Sequence, residues 1–220
     1  MDKPAGLLVH RTGLDAGETR FALQLLRDQL GRPVWPAHRL DKGTSGVLLF
    51  ALHAEVAARL GTAFEQGTGL HKTYHAMVRG WPPAQGLIDH PLKRMRDDAR
   101  DTRLDVQDAQ TTYTTLERCL LPVAQGPFDA TRVAQVQLHP LTGRRHQLRR
   151  HLKHIAHPIV GDATHGKGAM NRALAEHLGV QRLWLHASEL RLTHPVTQAP
   201  LVIEAPLGPE WAVWRPWATP

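Results

Sequence analysis

At 220 residues and 42% hydrophobic content the chain can bury a core of its own, and 27 Lys and Arg against 20 Asp and Glu leave a formal charge of +7, which suits a polyanionic partner. Its single cysteine, Cys119, excludes an intramolecular disulfide and any cysteine-based metal cluster, and is expected as a small buried residue in a reducing compartment. No apolar run approaches the roughly 20 residues of a membrane helix and no basic-then-apolar leader opens the chain, so the expectation is a cytoplasmic protein with no membrane partner.

In chain order, residues 6–10 (GLLVH) predict a strand, and residues 18–30 a helix with Ala22, Leu25 and Leu26 on one face and Gly31 as its stop. Residues 46–53 (GVLLFALH) predict a buried strand, and residues 54–66 a helix with apolar Val56, Leu60 and Phe64, ending at Gly67. The alternation in HKTYHAMVRG, with Tyr74, Ala76 and Val78 on one face, predicts a half-buried strand. Residues 82–108 contain prolines and dense charge and predict a loop-rich excursion. Strands near 111–118 and 131–138, a helix over 144–156, and strands near 182–192 and 200–205 complete the pattern. Trp211, Trp214 and Trp217 recur at helical spacing and are expected to pack. With no internal repeat and no regular βαβ rhythm, the fold class is α+β, one domain around a mixed, mostly antiparallel sheet flanked by helices.

Two stretches carry chemistry. In AHRLDKGTSGVLLFA, residues 37–51, the carboxylate of Asp41 stands between cations at the entry to an apolar run, either as an ordinary turn residue or as an ionised acid at the mouth of a sheet. From 131 to 161 there is no acid, yet Arg132, Arg144, Arg145, Arg149, Arg150 and Lys153 are present. On a helix Arg145, Arg149 and Lys153 would share a face beside a buried Leu148, Leu152 and Ile155 stripe, an arrangement suited to phosphate. His146, His151, His154 and His157 invite a metal reading. Cationic neighbours and the absence of a nearby carboxylate argue against it, so no metal is expected. His38 is expected to be structural.

Taken together, HRLDKGTSGVLLFA, KTYHAMVRG, AQTTY, HPLTGRRHQLRRHLKHIAHPIVGD and RLWLHASELRLTHP, in this order along the chain, resemble the RluA family of pseudouridine synthases. Within it, QLRRHL and NRALAEHLGVQRLWLHA are most similar to the tRNA-acting synthase C subfamily. The resemblance implies a pseudouridine synthase catalytic domain over residues 1–220 with a central active-site cleft, the family's N-terminal edge strand missing before DKPAGLLVH, and no S4-type RNA-binding module. It implies an isomerase that breaks the glycosidic bond of a T-stem uridine in tRNA, turns the base and rejoins C5 to the sugar. Nothing is oxidised and no group is lost, so no cofactor is expected. Asp41 would be the catalytic carboxylate, Arg149 the cation that keeps it ionised, and Tyr74 the ring that stacks on the uracil. A stacked base hides its sugar, so the nucleotide must flip out. Arg39 would fill the vacated space, and Lys42, Arg144, Arg145 and Arg150 would hold flanking phosphates. The protein is expected to act as a monomer. A large-subunit rRNA substrate is the near alternative; a catalytically silent RNA-binding module and a metal-dependent nuclease are the alternatives from other classes.

Overall fold

The computed structural model describes residues 1–11, 17–67, 69–95 and 105–219. The chain opens with β1 (Asp2–Lys3), α1 (Ala22–Leu30), β2 (Trp35–Pro36), β3 (Ser45–Val47), β4 (Phe50–Ala51) and α2 (Ala54–Gln66). There follow β5 (Leu70–Arg79), β6 (Gln85–Asp89), β7 (Leu92–Lys93), β8 (Val106–Gln107), β9 (Gln110–Leu121) and β10 (Thr131–Pro140). The last elements are α3 (Gln147–His154), α4 (Gly168–Leu178), β11 (Leu185–Thr193), β12 (Pro200–Glu204) and a 3-10 helix over Pro209–Trp217.

Among the described residues, eight strands form one α+β sheet in the order β1, β3, β11, β5, β10, β9, β6, with β12 also paired to β11. Every ladder is antiparallel except β3 with β11. One side of β11 is shared: His186 and Ala187 pair with β3, while Glu189 to Thr193 pair with β12. At the β3 crossing the backbones almost touch. Gly46 has φ +105, and a Cβ there would lie 2.1 Å from the Ala187 carbonyl oxygen, so only glycine lets β3 reach β11. That contact fixes the loop just before β3, where Asp41 lies.

The sheet is covered on both faces. Ala76 and Val78 of β5 and Val136 and Leu138 of β10 pack with Leu148 and Leu152 of α3, which seats α3 over the central strands. Met77, Cys119 and Val133 join Met170 and Leu174 of α4 and Trp184, Trp211 and Trp214 in a second cluster. Each fully buried Val, Leu or Met among them contributes about 1.5–3 kcal/mol relative to exposure. The tryptophans pack edge to face, Trp184 against Trp211 and Trp214 with centroids 5.3 and 5.2 Å apart.

Several local expectations change. Residues 6–10 make only a bridge from Leu8 to Phe21, because the Lys3 Nζ donates to the Pro4 and Leu7 carbonyls and curls the segment. The apolar run 46–53 splits into β3 and β4, since the Leu49 N–H donates to His38 Nε2 at 3.1 Å instead of to a neighbouring strand. β5 is covered on both faces near Met77, where the alternation suggested one. Within 82–108 the excursion contains β6, β7 and β8, formed by long-range pairing that local composition does not encode; residues 96–104 lie outside the described residues. α1 begins at Ala22, not at residue 18, and α3 begins at Gln147 because His146 takes a left-handed φ of 53°. Helix α4 was not among the expected elements, although Met170, Leu174 and Leu178 recur at four-residue spacing and Gly179 ends it.

Candidate active site

Asp41 sits in the loop between β2 and β3, held from below. Gly6 N–H donates to the Lys42 carbonyl at 2.8 Å, and the fully buried Lys3 Nζ donates to the same oxygen at 3.2 Å. Burial lowers the Lys3 ammonium to about 8 despite the opposing pull of Asp41. Thr44 N–H closes the turn on the Asp41 carbonyl at 3.0 Å. The loop borders a cavity of about 630 Å³ whose walls include Arg39, Asp41, Lys72, Tyr74, Arg144 and Arg145. His146, Arg149, Arg150 and Leu185 also line it.

Arg149 projects from α3 and is only 8% exposed. Its Nη1 donates to Asp41 Oδ2 at 2.9 Å, while Nε and Nη2 donate to the two oxygens of Asp162 at 2.8 and 2.9 Å. The fork is thus aligned by Asp162 and presents its remaining nitrogen to Asp41. Asp162 is 1% exposed and also accepts the N–H groups of Thr164 and His165 on Oδ1. Burial alone would raise its pKa, but the Arg149 hydrogen bond and the backbone donors outweigh it and hold the carboxylate below its ordinary range. Burial likewise disfavours the Arg149 guanidinium, and the two carboxylates more than restore it. Gly161 makes the Asp162 turn possible: its φ is +78, and a Cβ would lie 1.7 Å from the Arg182 carbonyl oxygen.

Tyr74, on β5, is half-buried beside the same cavity; burial first and the Asp41 charge second push its phenol pKa well up, so the hydroxyl keeps its proton. Gln147 organises the rim. Its Oε1 accepts from Thr142 Oγ1 and Arg144 N–H, and its Nε2 donates to the Gln110 carbonyl and Thr111 Oγ1. Arg144 in turn donates to the Asp108 carbonyl at 2.9 Å.

The structure brings Asp41, Tyr74, Arg149, Arg39, Arg144, Arg145 and Arg150 to one cavity. Lys42 is the exception: it turns away to pair with Glu18 at 2.5 Å and does not line the cavity. The single basic face of Arg145, Arg149 and Lys153 is also corrected. Arg145 precedes α3, Arg149 is buried against Asp162, and only Lys153 is exposed. Asp162 was the residue missed. Its signal was available, since a buried arginine requires a carboxylate and Asp162 is the first acid after the acid-free stretch. His151 is a buried structural residue between Thr111 Oγ1 and the His90 carbonyl, and His38 is stacked on Phe64.

Residues 1–154 match the family model described as RNA pseudouridylate synthase. The chain belongs to this family. Among curated RNA pseudouridylate synthases it is 50% identical over 215 residues to the tRNA pseudouridine synthase C of Vibrio cholerae, covering 96% of this chain and 88% of that one. The tRNA pseudouridine synthase C of Pasteurella multocida is 49% identical over 216 residues, with the same coverage of 96% and 88%. Of solved structures, human RNA Pseudouridylate Synthase Domain Containing 1 superposes with a TM-score of 0.73 at 26% identity, over 99% of this chain and 83% of that one. Human RNA Pseudouridylate Synthase Domain Containing 4 does so with a TM-score of 0.69 at 27% identity, over 97% and 88%. The matched family segment includes Asp41, Tyr74 and Arg149 but ends before Asp162.

Proposed function

We propose that this chain isomerises a T-stem uridine of tRNA to pseudouridine, with Asp41 as the catalytic carboxylate. The observation that carries this reading is the Asp41–Arg149–Asp162 chain at the cavity wall: a partly exposed carboxylate, 21% open at its side chain, paired at 2.9 Å with a buried guanidinium whose geometry a second carboxylate fixes. The names of the Vibrio and Pasteurella relatives support tRNA as the substrate.

The flipped nucleotide enters the cavity with its uracil on the Tyr74 ring, a contact contributing about 1–3 kcal/mol, and its ribose beside Asp41. Asp41 attacks the sugar or the base, or abstracts a sugar proton. In each course the N1–C1′ electron pair passes to the uracil. The base turns, C5 bonds to C1′, the C5 proton leaves and N1 gains one, so the atoms balance without a cofactor. The Tyr74 hydroxyl, which keeps its proton, hydrogen-bonds the base and holds it in place while C5 rejoins C1′. Exposed Arg39 occupies the space the nucleotide leaves, and Arg144, Arg145 and Arg150 hold flanking phosphates.

Two measurements test the substrate side. Changing Arg145 and Arg150 together to Ala is expected to weaken tRNA binding and to lower the slope of log affinity against log salt by roughly 1.5, since each lost phosphate contact removes about 0.7–0.9. An unchanged slope in filter binding would make these arginines a merely solvated surface. Mapping pseudouridine in total RNA from cells with and without the gene should show one T-stem signal lost from particular tRNAs. An intact tRNA map with a lost large-ribosomal signal would transfer the activity to rRNA.

A further inference from the structure

His146 and His165 form a pair that the mechanism above does not use. His146 stands immediately before α3, in a left-handed conformation with φ 53 and ψ 26, which aims its ring into the cavity. Its Nε2 lies 3.8 Å from Asp41 Oδ2, too far for a hydrogen bond, and its Nδ1 lies 3.1 Å from His165 Nε2. His165 is tied to the same carboxylate that orients Arg149, its backbone N–H donating to Asp162 Oδ1 at 2.8 Å.

The tautomers follow from electrostatics. Between two neutral imidazoles only one facing nitrogen carries the proton. If it were His146 Nδ1, a bare Nε2 lone pair would face the Asp41 carboxylate. The favourable arrangement puts the proton on His165 Nε2 and leaves His146 with Nε2–H directed at the space beside Asp41. His146 stays uncharged there. Burial, then Arg149, His165 and Arg145, oppose its protonation against the pull of Asp41, and its pKa falls to about 4. Burial, Arg149, Lys153 and Arg150 lower His165 against the pull of Asp162.

We propose that His146, locked as the Nε2–H tautomer by His165, donates a hydrogen bond to a uracil carbonyl oxygen when the base is detached, a role that rests on the isomerase reading above. When the N1–C1′ bond breaks, its electron pair spreads over the uracil oxygens, and a fixed neutral donor binds that charge more strongly than it binds the intact base. His146 keeps its proton throughout; the C5 proton and the N1 proton move in later steps. An imidazolium in this place would pair with Asp41 and quench it, which is why neutrality matters.

The test is single-turnover pseudouridine formation with saturating tRNA, together with tRNA affinity and thermal melting. His146→Asn tolerates the left-handed backbone but is too short to reach the base, and is expected to slow the reaction about 10²-fold with affinity unchanged. His165→Phe removes the donor that sets the tautomer and should cost roughly tenfold, whereas His165→Gln, whose amide can donate to His146 Nδ1, should restore the rate. Full activity of His146→Asn, a loss confined to affinity, or equal losses in the two His165 variants would overturn the donor role. If the wild type itself formed no pseudouridine, the isomerase reading would fall and this role with it.

Discussion

Asp41→Asn is expected to fold, to bind tRNA at least as tightly as the wild type, and to lose at least ~10³-fold in pseudouridine formation. Asn has the shape of Asp and can still accept the Arg149 Nη1 hydrogen bond, so the contact changes from charge-assisted to neutral, at a cost of about 1 kcal/mol. The loop itself is held by other groups, among them Lys3, Gly6 and Thr44, which bond to backbone oxygens of residues 41 and 42. Binding should not suffer, because a negative charge is removed from a cavity lined by Arg39, Arg144, Arg145 and Arg150. Melting curves and filter binding check these two parts. A variant that unfolds, or that loses affinity in proportion to activity, would make Asp41 a structural turn residue.

Arg149→Met should lose activity and stability together, and the stability loss should depend on pH. Removing the guanidinium strands Asp162, a carboxylate 1% exposed, and leaving a buried charge without its partner costs about 3–5 kcal/mol. In the wild type the folded pKa of Asp162 is depressed, so it contributes stability above the ordinary carboxylate range that is lost only as pH falls through its own lower value. Without Arg149 burial dominates and the folded pKa rises, so the variant loses stability as pH increases. The gap between wild type and variant in urea unfolding should therefore narrow from pH 7 to pH 5. Arg149→Met with Asp162→Leu should recover much of the stability and none of the activity, since it removes both buried charges and still leaves Asp41 without its cation. A pH-independent gap, or an active double variant, would contradict the role given to Arg149.

What the sequence makes legible is what local pattern encodes. Residues 54–66 form the helix their period predicts, β5 carries Tyr74, Ala76 and Val78 inward, and Trp211 and Trp214 pack as their spacing suggests. Asp41 and Arg149, 108 residues apart, could be paired in advance only through the motifs HRLDKGTSG and GRRHQLRRHL, because no local pattern links them. Long-range placement is where pattern fails. Lys42 is adjacent to Asp41 in sequence, yet Glu18 takes its ammonium, and no spacing rule anticipates that pair. β6 exists only because β9 offers it a ladder, and the strand at 6–10 is replaced by a turn because a buried lysine needs carbonyl oxygens. Asp162 was hidden for the opposite reason: a short acid after a glycine reads as a turn until the buried charge of Arg149 is considered.

The central claim is that the Asp41 carboxylate drives exchange of the glycosidic bond from N1 to C5. It is tested most directly by release of tritium from uracil C5 in an unmodified tRNA transcript, measured for the wild type and Asp41→Asn in parallel at saturating protein. One equivalent of tritium released and one pseudouridine formed per tRNA is expected of the wild type, and none above background of the variant. Comparable release by both proteins would contradict the claim.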